Sequence, residues 1–212
     1  MFNLQRWQGS QHRIGITGGI ACGKSAVSKY LKEKKQLVIL DADLYAREAL
    51  SDGTIANNRV RERYGMGILK ESNNKQIIDR KKLAKIIFIN KLEKDWLEKL
   101  IHPIVKKKFE QELQENRELP IVGLSIPLLF EAKMTNLCSS IWVVKCKEEI
   151  QVNRLINRDK IEQSIAKKII ESQWPIKKKE NLSDQIIENN STFNDLYHQI
   201  DQLFETLRLQ LL

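Results

Sequence analysis

Cysteine is scarce in this chain of 212 residues: Cys22, Cys138 and Cys146 show no CxxC spacing and cannot all pair. That argues against a disulfide framework and a zinc site, and it fits a reduced, cytoplasmic setting. Long hydrophobic runs are missing too. The run "IVGLSIPLLF" contains a proline and stops at about ten residues, short of the roughly 20 that cross a bilayer, so no membrane partner is expected. The opening "MFNLQRWQGSQH", residues 1–12, lacks the apolar core and small-residue cleavage site of a secretory signal. It reads as a short, mobile extension. Aromatics make up only 7% of the residues and form no stacking platform for single-stranded nucleic acid. There is no internal repeat and no low-complexity tract.

What is present is a globular composition, 42% apolar and 30% charged, with a net charge of +9. The charge points to anionic partners, with nucleic acid, anionic lipid and polyphosphate metabolites all open on that ground alone. Apolar strand-like runs recur as "RIGIT" (13–17), "LVIL" (37–40), "IVGLS" (121–125), "IWVVKC" (141–146) and "QIIE" (185–188). Helical spacing fills intervals such as Ala26 to Lys35 and Glu148 to Arg158. Fully apolar strands alternating with helices predict an α/β fold, a parallel sheet covered on both faces. The interval between the second and third runs far exceeds one crossover helix. Residues 58–115 are therefore expected to be inserted helices, with the core at 13–57 and 116–212. Near the end, Phe193, Leu196, Ile200, Leu203, Phe204 and Leu207 form one stripe of an amphipathic helix.

Glycine is uncommon, yet it crowds into "IGITGGIACGKSAVSKYL", residues 14–31. Gly18-Gly19-Ile20-Ala21-Cys22-Gly23-Lys24-Ser25 satisfies G-x-x-x-x-G-K-[ST] between an apolar strand and a helix. Such a loop curls so that successive N–H groups point inward and nest an anion, and the helix dipole aims at the same point. Lys24 can then reach the β- and γ-phosphates of a nucleotide, and the Ser25 hydroxyl can ligate Mg²⁺. The pattern sets a nucleoside triphosphate site without fixing the reaction. A GTPase would need N-K-x-D, whereas "NKLE" at 90–93 carries Glu and no D-x-x-G precedes it.

"LVILDADLYAR" places Asp41 and Asp43 just past an apolar strand, at the edge where open α/β sheets gather ligands. Phosphoryl transfer needs a group that takes the proton of an attacking hydroxyl and carboxylates that help hold the metal. Two Asp at i and i+2 can divide those tasks, with Asp43 the base. Capping of the following helix would account for one of them.

With "GITGGIACGKS", "DADLYAR", "DRKKLAKIIFIN", "LIHPIV", "IPLLFE", "RLINRD" and "DQIIENN" in this order, the chain resembles dephospho-CoA kinases over roughly residues 13–200. The resemblance implies a P-loop kinase, a three-layer core with a five-stranded parallel sheet, a helical CoA-binding insertion and a lid at about 148–182. It implies transfer of the ATP γ-phosphoryl group to the 3′-hydroxyl of dephospho-CoA, with ATP and Mg²⁺. Asp43 would be the base, with Lys24 and Arg154 beside it in catalysis. ATP would be held by Gly19, Ile20, Ala21, Cys22, Gly23, Lys24, Ser25 and Ala26, by Arg154 and Arg158 of the lid, and by Asn189 near the adenine. The acceptor would meet Asp41, Asp43, Arg47, Arg80, His102, Pro127 and Leu128.

Other readings stand beside several of these. Pro103 lacks a backbone donor, so His102-Pro103 also reads as a helix junction. The apolar residues after "IVGLS" also suit plain core packing, and any Arg pair suits a solvated face. Where the family loop carries G-S-G-K-[ST]-T, this chain has Ala21, Cys22 and Ala26. Ala21 is tolerated unless its φ is positive. Ala26 lacks a hydroxyl that would support the α-phosphate. Cys22, at a helix start, is expected to have a lowered thiol pKa and a sensitivity to oxidation. The alternative activity is that of another P-loop kinase acting on a nucleoside or nucleotide hydroxyl. A basic ATP-dependent nucleic-acid binder ranks below both, because a polyanionic substrate pair explains the charge. Nothing in the sequence specifies more than a monomer or weak homo-oligomer.

Overall fold

The computed structural model describes residues 4–72 and 75–211. The chain opens with β1 (His12–Gly18), α1 (Lys24–Lys34) and β2 (Ile39–Asp41). It continues through α2 (Ala42–Ala49), α3 (Ile55–Tyr64), β3 (Leu69–Ser72), β4 (Lys75–Ile78), α4 (Arg80–Ile89) and α5 (Lys91–Glu115). After these come β5 (Ile121–Ser125), β6 (Ser140–Lys145), α6 (Glu148–Asp159), α7 (Gln163–Glu171), α8 (Ile176–Glu180), β7 (Gln185–Glu188) and α9 (Phe193–Gln210). Two compact units result: residues up to Asp41 together with Asn116 onward, and Ala42–Glu115.

In the first unit five parallel strands lie in the order β2-β5-β1-β6-β7. Strand β1 is central and buried on both faces from Ile14 to Gly18, with Ile14 and Ile16 fully buried on one of them. That is the pattern a helix-covered parallel sheet requires. Val27 and Leu31 of α1 and Leu196, Ile200, Phe204 and Leu207 of α9 form one apolar cluster with Ile14, Ile16 and Trp142. Each fully buried side chain of this size contributes about 1.5–3 kcal/mol. A capping box starts α9: Thr192 Oγ1 accepts from the Asp195 N–H at 3.3 Å, and Asp195 Oδ2 accepts from the Thr192 N–H at 3.2 Å. Phe193 departs from the expected stripe. It is 62% exposed and stacks on Tyr197 instead of entering the core.

Gly15 on β1 sits where any Cβ would strike Cys138 Sγ at 2.6 Å and Leu129 Cδ1 at 2.9 Å, so the strand needs glycine there for close packing. The segment before β1 is tied down, unlike the mobile extension the sequence suggests. The Trp7 N–H donates to the Cys138 carbonyl at 2.9 Å, Arg6 pairs with Asp184 at 3.1 Å, and the Arg13 guanidinium lies 3.5 Å from the centre of the Trp7 ring. A tryptophan and an arginine offer enough contact area and charge to fix so short a run. Residues 1–3 lie outside the described residues.

The second unit packs Val60, Ile68, Ile78 and Leu83 with Tyr64, Trp96, Leu97 and Leu100. It differs from the expected all-helical insertion in two ways. It starts at Ala42 rather than at residue 58, and it contains the antiparallel pair β3–β4, with Leu69 opposite Ile78. Its longest helix, α5, runs through Pro103 without a break, which overturns the helix-junction reading of His102-Pro103. Apolar residues on both sides of the proline, Ile101, Val105, Phe109 and Leu113, are buried and hold the helix on course. That packing outweighs the one lost backbone bond. The helix break falls earlier, at Asn90, whose side chain accepts from the Leu92 N–H at 2.9 Å.

Candidate active site

Between β1 and α1 the backbone turns sharply. Gly23 caps the helix with φ 102°, and Ala21 has φ 59°. Ala21 therefore occupies the positive-φ conformation that its replacement of glycine should disfavour, a cost of roughly 1–2 kcal/mol. At Gly23 no side chain fits: a Cβ there would collide with the Asn189 amide. The Ala26 N–H already donates to the Gly23 carbonyl at 2.9 Å, and the amides at the very start of α1, which have no carbonyl one turn earlier, are the donors a helix N-terminus offers an anion.

The loop is braced from three sides. Asn189, just past β7 and 5% exposed, donates from Nδ2 to the Cys22 carbonyl at 2.9 Å. Its own carbonyl accepts from Arg154 Nη1 at 3.1 Å, so an arginine of α6 is set against the loop's brace. Gln151 Nε2 donates to the Ile20 carbonyl at 2.8 Å, and Gln173 Oε1 accepts from the Ile20 N–H at 3.0 Å. Val152, Leu155, Ala166 and Ile169 form an apolar cluster on α6 and α7 that reaches Ile20 and Ala21.

Lys24 turns back across the sheet edge. Its Nζ donates to Ser125 Oγ at 2.6 Å, and the Ser125 hydroxyl donates to Asp41 Oδ2 at 3.2 Å. Ser125 and Asp41 are paired in register at the ends of β5 and β2, which explains why residues far apart in sequence meet here. Thr17 Oγ1 donates to the Pro127 carbonyl at 3.0 Å, joining the end of β1 to the turn that holds Pro127 and Leu128. Behind it Lys179, with no exposed surface, pairs with Glu131 at 2.8 Å, and Glu131 also accepts from the Trp174 N–H at 3.0 Å.

The first unit thus brings together Gly19 to Ala26, Asp41, Arg154 and Asn189. Arg158, one turn after Arg154 on α6, lies beside Asp159 with bonds of 2.8 and 2.9 Å. Asp43, Arg47, Arg80 and His102 belong to the second unit. Asp43 is in the first turn of α2, directly after the strand that ends at Asp41. Arg80 opens α4 and donates from Nη2 to the Arg47 carbonyl at 3.1 Å. His102 is on α5, and burial lowers its pKa against the opposing pull of Glu98. Ser125, Gln151 and Gln173 are partners the sequence reading did not name. Only the position of Ser125 at the end of an apolar strand could have signalled one of them.

Cys22 is 1% exposed and shares a hydrogen bond with Cys146, Sγ to Sγ 3.4 Å. That bond, reinforced by burial, pushes the Cys22 thiol pKa up, against the expected fall at a helix start. The same bond, with help from Arg154, pulls Cys146 down.

For a metal, the donors on offer here are hard oxygens, the Ser25 hydroxyl and the Asp41 carboxylate. Among the described residues no group of three His, Cys, Asp or Glu could hold an ion. That donor set fits Mg²⁺, which keeps waters and binds through one or two protein groups plus substrate phosphates.

A parallel sheet of this order, with a Gly-Lys-Ser loop running from its central strand into a helix, defines a P-loop nucleotide-binding fold. A family model described as dephospho-CoA kinase matches residues 12–195, and the chain belongs to that family. It is 45% identical to a dephospho-CoA kinase of Prochlorococcus marinus over 94% of this chain and 96% of that one. Among solved structures it is similar to a dephospho-CoA kinase from Campylobacter jejuni, at 25% identity and TM-score 0.64, covering 92% of this chain and 96% of that one. It is also similar to TT1252 from Thermus thermophilus, at 26% identity and TM-score 0.76, over 94% and 99% of the two chains. The enzyme is an ATP-dependent kinase that phosphorylates a hydroxyl group. No helix among the described residues is long and apolar enough to cross a membrane.

Proposed function

We propose that this protein transfers the γ-phosphoryl group of ATP to the ribose 3′-hydroxyl of dephospho-CoA, giving CoA and ADP. The observation that carries the reading is the contact of Lys24 Nζ with Ser125 Oγ at 2.6 Å, continued to Asp41 at the carboxyl edge of the sheet. That relay holds the loop's ammonium group at the carboxyl edge of the sheet, where a transferring phosphoryl group needs a positive charge.

The loop amides and Lys24 bind and orient the triphosphate, and Arg154 offsets charge that develops on the transferred group. Asp43 accepts the proton of the attacking hydroxyl. Its support is the D-A-D motif and its place in the first turn of α2, two residues past the end of β2. Ser25 and Asp41 would hold Mg²⁺, which when bound supplies charge neutralisation at the β- and γ-oxygens. Arg47, Arg80 and His102 are assigned to the anionic acceptor on the strength of the family motifs around them. Pro127 and Leu128 are assigned to its apolar arm. A reducing cytoplasmic setting suits the three free cysteines.

The test is to incubate the reduced protein with ATP, Mg²⁺ and dephospho-CoA and to separate the products. CoA and ADP in equal amounts are expected, with turnover abolished by a chelator. ADP without CoA, or turnover only with a nucleoside acceptor, would overturn the assignment.

A further inference from the structure

The phosphate loop and the end of the neighbouring strand each carry a cysteine, and the fold puts the two side by side. Strands β1 and β6 are parallel neighbours, with Gly18 paired to Val144. Cys22 follows Gly18 in the loop and Cys146 follows directly after β6, so both thiols reach the carboxyl edge of the sheet. Their sulfurs are 3.4 Å apart. Cys146 is partly exposed and Cys22 is buried. Cys138, the third, is fully buried against Gly15.

We propose that Cys22 and Cys146 form a reversible disulfide that disables nucleotide binding, a modification site built into the phosphate loop; this rests on the reading of that loop as the ATP site. The oxidant is a peroxide. The accessible Cys146 thiolate attacks one peroxide oxygen, the O–O bond breaks, and the departing oxygen leaves as water after taking a proton. Cys146 is then a sulfenic acid. The Cys22 sulfur attacks that sulfur, the S–O bond breaks, and the sulfenic hydroxyl leaves as a second water with the proton of the Cys22 thiol, the Cys146 proton having gone into the first. Two thiols and one hydrogen peroxide give one disulfide and two waters. A low-molecular-weight dithiol reverses the step by exchange.

Closing a gap of 3.4 Å to the S–S bond length of about 2.05 Å must move the loop or the end of β6. The loop is where the strain falls. Cys22 lies between Ala21 at φ 59° and Gly23 at φ 102°, and its carbonyl is held by Asn189. A pull on its side chain turns the amides that face the phosphates. By linkage, a nucleotide that holds the amides in place disfavours the cross-link at equilibrium by the factor by which the cross-link weakens nucleotide binding.

The experiment treats the reduced full-length protein with hydrogen peroxide, with and without ATP. It then maps cross-linked peptides by mass spectrometry and measures binding of a fluorescent ATP analogue. A Cys22–Cys146 peptide pair, affinity lowered about tenfold or more and recovery with dithiothreitol are expected, and in a dithiol/disulfide redox buffer ATP should lower the cross-linked fraction. Cys146→Ser should bind the analogue as the unmodified protein does and keep that affinity after peroxide. The proposal is overturned if both thiols stay open to alkylation after peroxide, or if the cross-link forms with affinity unchanged. It is also overturned if Cys146→Ser loses affinity on oxidation to the same extent. Failure of the reduced protein to phosphorylate dephospho-CoA would count against the substrate and leave these readouts as they are.

Discussion

Lys24 and Ser125 are joined by a 2.6 Å hydrogen bond that spans from the start of α1 to the end of β5. Ser125 is wholly buried, and its hydroxyl passes the contact on to Asp41. Its part is to position the ammonium group. A hydrogen bond to a charged group contributes about 1.5–3 kcal/mol, so Ser125→Ala should lower kcat/KM for ATP by roughly 10- to 100-fold. Ser125→Thr, which keeps the hydroxyl, should recover most of it. Steady-state kinetics with ATP varied is the check.

Asp43→Asn keeps the shape of the first turn of α2 and removes the proton acceptor. kcat should fall by about 10²- to 10⁴-fold, with the affinity for an ATP analogue unchanged. Near-normal turnover would take Asp43 out of the role of base.

Ala21→Gly should stabilise the protein. Relief of the left-handed backbone is worth about 1–2 kcal/mol, and the extra freedom of glycine in the unfolded chain takes back about 0.5–1. A net gain of about 0.5–1 kcal/mol should appear in urea denaturation, with an unchanged slope.

The buried pair of Lys179 and Glu131 resists a change to one partner more than a change to both. Lys179→Met strands a carboxylate that is only 16% exposed and should cost about 3 kcal/mol. Adding Glu131→Gln should restore much of that loss. Chemical denaturation of the two variants measures the difference.

In the second unit, hydrogen bonds from Arg63 and Tyr64 hold the Glu93 carboxyl down to about 2, against an ordinary value of 4.5. Its folded pKa is below its unfolded one, so the unfolded chain binds the proton first on acidification. The stabilisation is complete above 4.5 and fades as the pH drops toward 2. Glu93→Gln should flatten the stability curve across that window. Equal acid slopes in the two proteins would refute the assignment.

The phosphate loop was legible because glycine, lysine and serine must stand at fixed offsets for a backbone to wrap an anion. Strands β5 and β6 were legible because burial on both faces leaves apolar runs, while β7, an edge strand with only Ile187 buried, was legible from its short "QIIE". Strands β3 and β4 were not, since "LKES" and "KQII" mix charges with a few apolar residues, and only pairing with each other makes them strands. Pro103 misled because the sequence shows its missing N–H and not the buried residues that carry α5 past it. The contacts of Ser125, Gln173 and Cys146 join positions more than a hundred residues apart, and no local spacing records such meetings.

Strand β1 has a parallel partner on each side, so its amides are bonded at the middle of the sheet. Such amides exchange with solvent only when the whole unit opens. The turn that grips phosphate is thus moored to the portion of the protein that lets go last, and warming should loosen the edges while the grip endures.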